Sequence, residues 1–164
     1  AITSSIGIRG IDEEDLKQAT FNAAQMKLLD GFVATKQAAE HPTEAAASYP
    51  GTQGSINALA TFSADQFVSV ADDGVVRLWS VGDDSGPVDS YPHDEPVDAV
   101  TVTPEGVIVF GDRSGTVMAW NPGTGDVIDV VELGGRARSL LALSDGRLAA
   151  GTVGGDVRVW TPSY

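Results

Sequence analysis

Three tryptophans, Trp79, Trp120 and Trp160, stand 41 and 40 residues apart, and their surroundings repeat with them. Five positions before each lies a glycine: Gly74, Gly115 and Gly155, in DGVVRLW, SGTVMAW and GGDVRVW. Fourteen positions before the second and third lies another glycine, Gly106 in TPEG and Gly146 in LSDG; Asp65 holds the matching place in the first copy. Apolar runs precede these turn signals at 56–62, 97–102 and 140–143. Each copy therefore reads as strand, tight turn, strand, glycine turn, and a strand ending in tryptophan. Two copies continue into a further run, GPVDSY and DVIDVVEL.

A unit of about 40 residues with three or four short strands is a supersecondary module that cannot bury both of its faces alone. Stacking such modules side by side gives a β-propeller blade series. The spacing predicts a mainly β fold over residues 55–164, an incomplete propeller of about three blades. The Asp/Ser-Gly pairs supply the positive-φ position of a tight hairpin, and each tryptophan is an apolar plate between neighbouring sheets. Propellers close with four to eight blades, so this stretch is expected to finish its ring with another chain, with itself, or with blades of a longer parent.

The first 54 residues differ in texture. They hold all the lysines, Lys17, Lys27 and Lys36, and few of the glycines. ITSSIGI alternates like a strand, with Ile2, Ile6 and Ile8 on one side. Asp12 reads as a helix cap ahead of Glu13–Asp15, and Asn22 with Gln25 as a weaker second cap. Met26, Leu29 and Val33 then form a narrow apolar stripe. Residues 1–40 are thus expected to be a strand plus a helical arm. HPTEAAASYPGTQG, residues 41–54, reads as a linker before the repeats at 55–164. ITSSIGI is the spare strand expected to pair on a blade edge.

SVADDGVVRLWS and HDEPVDAVTVTPEGVIVFGDRSGTVMAWNPGTGDVI resemble WD40 repeats, and the His93, Val97, Val100 spacing is similar to that family's opening motif. The resemblance covers residues 55–164 and implies a β-propeller that serves as a protein-interaction module. In that family the rim at the start of the first strand commonly faces partners. Asn57, Asp98 and Arg138 share this place in the three copies yet differ in charge, so they are the candidate protein-binding residues. The copies depart from the family pattern. No Asp follows any of the tryptophans, the opening His occurs only as His93, and the turn Asp occurs only as Asp73, with Ser114 and Gly154 at its other two places. GTVMAWNPGTGDVI also resembles repeats of pyrroloquinoline-quinone propeller enzymes, which implies a quinone-dependent subunit as the alternative reading.

Chemistry is scarce along the chain. Only two histidines occur, His41 in the linker and His93 at a structural loop position. No His-x-x-His, calcium-loop or phosphate-loop pattern is present, so no catalytic, cofactor-binding or metal residue is expected. A structural subunit clamped to a larger assembly by its N-terminal arm is the further alternative. The lack of cysteine fits a compartment where free thiols are a liability, which leans towards an extracytoplasmic setting. With 10 Lys+Arg against 23 Asp+Glu, the net charge of −13 disfavours nucleic acid and anionic membranes as partners. No apolar run approaches the length of a membrane span. The expected partner is another protein chain or a second copy. Residues 55–164 alone carry six Arg against sixteen Asp+Glu. Screening this self-repulsion should raise the melting temperature between low salt and near-molar NaCl, and a fall would contradict that reading.

Overall fold

The computed structural model describes residues 14, 17, 18, 20–27 and 47–163. The chain divides into two compact units, residues 1–46 and 47–164. In the first, the described residues are helical and exposed. Asn22 lies inside this helix rather than capping a second one, and its Oδ1 accepts a hydrogen bond from Gln18 Nε2 at 3.1 Å. That i, i+4 bond lets a cap-prone residue sit in a helix interior. The ITSSIGI segment, Asp12 and the end of the apolar stripe at Leu29 and Val33 lie outside the described residues. No described helix is long and apolar enough to cross a membrane.

The second unit is built wholly of antiparallel strands. Blade one contains β1 (Ile56–Thr61), β2 (Gln66–Ala71), β3 (Val75–Ser80) and β4 (Asp89–Pro92). Blade two contains β5 (Val97–Val102), β6 (Ile108–Asp112), β7 (Thr116–Trp120) and β8 (Val127–Glu132). Blade three contains β9 (Ala137–Ala142), β10 (Leu148–Thr152) and β11 (Val157–Trp160). Within each sheet the strands lie in sequence order. The tryptophans occupy one register position: Trp79 opposes Phe67, Trp120 opposes Ile108 and Trp160 opposes Leu148. β9 starts earlier than its apolar run suggests because Ala137, Arg138 and Ser139 carry the strand up to the rim. The compact unit also takes in residues 47–54 of the expected linker. Tyr49 packs edge-on against Phe67 and Trp79, with ring centroids 5.4 and 5.6 Å away.

Two apolar layers hold the blades together. Val70, Val76 and Leu78 of blade one meet Val100, Phe110 and Trp120 of blade two. Val109, Val117 and Ala119 of blade two meet Ala137, Leu148 and Ala150 of blade three. The inner strands β1, β5 and β9 run side by side from blade to blade. Thr101 Oγ1 accepts the Ala142 N–H at 3.0 Å across the second junction.

The hydrogen bonds of the tryptophans vary with their neighbours. Trp79 Nε1 donates to Ser69 Oγ at 2.7 Å, whereas Phe110 and Ala150 hold the corresponding places in blades two and three. Trp160 Nε1 is buried without a partner among the described residues. Blade two carries its turn carboxylate two residues earlier than expected. Asp112, not position 114, accepts the N–H groups of Ser114, Gly115 and Thr116, each at 3.0 Å, and faces His93 Nε2 at 3.0 Å. Burial opposes the charged form of Asp112, but the bonds from Ser114, His93 and the backbone outweigh it and hold its pKa below the usual carboxylate value.

The hairpin glycines are needed for space as well as for φ. Gly74 has φ +75, and a Cβ there would come within 2.4 Å of the His93 carbonyl oxygen. Gly82 has φ +89 but open space around it. Gly82→Ala should cost about 1–2 kcal/mol from the left-handed backbone alone. Gly74→Ala should cost clearly more, because the β2–β3 turn must separate from the residue after β4; equal losses in chemical denaturation would contradict this.

Candidate functional site

The first strand of each blade is interrupted at the same place. Ile56 opposes Ala71 but Ala58 opposes Val70; Val97 opposes Asp112 but Ala99 opposes Gly111; Ala137 opposes Thr152 but Ser139 opposes Gly151. The extra residues in these β-bulges are Asn57, Asp98 and Arg138, the three positions singled out by the repeat. A bulge tilts its extra residue out of the pleat and re-aims the side chain. Here the re-aimed side chains stand on the rim where the inner strand begins and the second strand ends.

Two of the three reach the following blade. Asn57 Nδ2 lies 2.9 Å from both Asp72 Oδ1 and the Val97 carbonyl oxygen of blade two. Asp98 is 5% exposed and sits between two guanidinium groups. Arg113 Nη2 donates to its Oδ1 at 2.9 Å, and Arg136, just ahead of β9, donates from Nη2 at 2.8 Å with Nε 2.5 Å from Oδ2. Arg113 Nη2 also reaches Asp72 Oδ1 at 2.6 Å. A row of groups, Asn57, Asp72, Arg113, Asp98 and Arg136, thus crosses all three blades. Hydrogen bonds from Asn57 and Arg113 lower the pKa of Asp72, and bonds to Asp98 and Asp72 raise that of Arg113.

Arg138 is different. It is exposed and has no polar partner among the described residues. The repeat groups the three by position as candidate partner-facing rim residues; the structure turns Asp98 inward, where Arg136 arrives from the next blade to neutralise it. Asp72, Arg113 and Arg136 belong to the same row and were missed. Their signal was present as Asp72 and Arg113, 41 residues apart at the end of the second strand.

Among the described residues no group of three or more His, Asp or Glu is placed to hold a metal ion. A shallow cleft of 580 Å³ opens beside Asn121, Asp126, Asp129 and Ser163, and none of the three bulge residues lines it.

The family model of the WD domain, G-beta repeat, matches residues 44–80 of this chain. Among solved structures, the chain is similar to the crystal structure of the WD40 beta propeller domain of Doa1. The match has a TM-score of 0.58 and 24% identity, over 63% of this chain and 36% of that one. This chain thus spans little more than a third of the length of that propeller. No curated protein matches the chain. The blades are a WD40-like propeller segment.

Asp98→Ala should lower the stability of the blade unit by about 2–3 kcal/mol, since it strips the acceptor from two cations at a desolvated site. Arg138→Glu should stay within about 0.5 kcal/mol. Urea denaturation of the two variants beside the parent chain checks both.

Proposed function

We propose that this chain is a non-enzymatic protein-interaction module of the WD40 type, whose blade-three face is completed by further blades. The observation that carries the reading is a contrast between equivalent valines. Val76 and Val117 are 0% exposed because the next blade covers them, while Val157, at the same place in blade three, is 77% exposed. Val159, Leu141 and Val153 lie bare beside it. Soluble proteins seldom leave a contiguous apolar patch and an unpaired strand edge uncovered, so such a surface marks an interaction site. The bulge residues Asn57, Asp98 and Arg138 form the polar rim of this module, with Arg138 as the member that meets a partner.

The reading has a test that needs no known partner. Val117→Asp places a carboxylate inside a blade junction and should cost several kcal/mol or prevent folding. Val157→Asp should change stability by about 0.5 kcal/mol or less in dilute protein. Equal losses at both sites, independent of protein concentration, would mean that the folded chain already covers Val157, and would reject an open interaction face.

A further inference from the structure

β8 is the outermost strand of blade two, and its outer edge is unpaired among the described residues. Such an edge offers N–H and C=O groups to another chain, and proteins guard it with proline, bulges or charge. The outer strands of blades one and two are guarded unequally. β4 has four residues and ends in Pro92. β8 has six and no proline. Its register shift leaves Val130 as an extra residue, since Val131 opposes Val117 and Asp129 opposes Met118. That bulge disturbs only the later part of the strand. Val127, Ile128 and Asp129 stay in regular register with Trp120, Ala119 and Met118.

The outward groups of this stretch follow from the ladder. The Asn121 N–H donates to the Asp126 carbonyl at 2.9 Å. Bonded and non-bonded pairs alternate along an antiparallel ladder, so Ile128 bonds across to Ala119, while the N–H and C=O of Val127 and Asp129 point away from β7. The cleft of 580 Å³ lies against the same stretch, and every residue lining it except Ser163 belongs to blade two. Val107, Ala119 and Ile128 give it an apolar floor on the face turned to blade three. Blade one is built differently at the corresponding place: Leu78 stands for Ala119, and opposite it is Asp89 rather than Ile128.

Charge selects the occupant. Asp129 is exposed and has no hydrogen-bond or ion-pair partner among the described residues, and Asp126 stands at the cleft. A second copy of β8 laid on this edge would bring acidic side chains together in a chain of net charge −13, and like charges facing each other across a ladder are destabilising. We infer that the Val127–Asp129 edge docks an extended, basic segment of a partner protein as a fifth strand of blade two. The segment's side chain opposite Ile128 is apolar and lies over the cleft, and a lysine or arginine stands opposite Asp129. Backbone bonds to the edge give affinity, and the alternating side chains give specificity. This surface is separate from Val157 and Arg138, so the module reading based on those residues stands or falls without it.

The probe is a capped, dye-labelled heptapeptide of alternating lysine and valine, titrated against the full chain by fluorescence anisotropy beside a version with glutamate for every lysine. The lysine peptide should bind about tenfold or more tightly than the glutamate peptide. Val127→Pro removes an outward N–H and leaves the β7–β8 ladder intact, so it should weaken binding about tenfold. Asp129→Lys, at an exposed position where folding is not at risk, should weaken it about fivefold. Asp89→Lys makes the same charge change on β4 and should leave binding unaltered. Four results would each overturn the proposal: no binding of the lysine peptide up to about 1 mM, equal binding of the two peptides, equal losses from Asp89→Lys and Asp129→Lys, or a folded Val127→Pro variant that binds like its parent. A parent chain that sediments as a dimer and is split by Val127→Pro would give the edge to a second copy and overturn it too.

Discussion

Packing of one sheet on the next is the contact on which the rest of this structure depends. A blade of four short strands has two apolar faces and too few residues to bury either by folding on itself. Val76 and Val117 become core only because another blade lies over them. Stability in such an array is roughly a sum of junctions, so the two apolar layers are the main source of cohesion, and the surfaces at the ends of the arc are unfinished versions of the same layer.

The polar row on the rim follows from that packing. Bulges at Asn57, Asp98 and Arg138 tilt side chains out of the pleat at the place where inner strands of neighbouring blades run together. Across each junction the side chains alternate in charge, so that burying Asp98 is compensated by Arg113 and Arg136. In a chain with an excess of acidic groups, placing two of the six arginines of the blade region at 113 and 136 spends scarce positive charge on blade-to-blade contact. The row ends at Arg138, where the packing also ends.

Much of the fold was legible in the chain because a propeller repeat writes itself as period. The tryptophan spacing, the hairpin glycines and the apolar runs located all eleven strands to within a few residues, since a positive-φ turn and a two-residue alternation are local requirements. Less legible was the division at the N-terminal side. Ser48-Tyr49-Pro50 reads as linker by composition, with proline and glycine nearby, and its kinship to Ser90-Tyr91-Pro92 is only three residues long. Only the ring contacts with Phe67 and Trp79 mark it as blade material.

By itself, the sequence determined the blade: strand order, turn positions and the shared place of Asn57, Asp98 and Arg138, all of which depend on residues close in the chain. Tertiary structure alone decided what those shared places do. Asp98 and Arg138 are equivalent by repeat, yet one is buried and one is bare, because burial depends on whether a following blade is present. Likewise Asp112 holds the β6–β7 turn and faces His93, nineteen residues away, because the segment after β4 brings that imidazole to the end of β6. Contacts between segments far apart in the chain carry no local period, and so they emerge only when the blades are stacked.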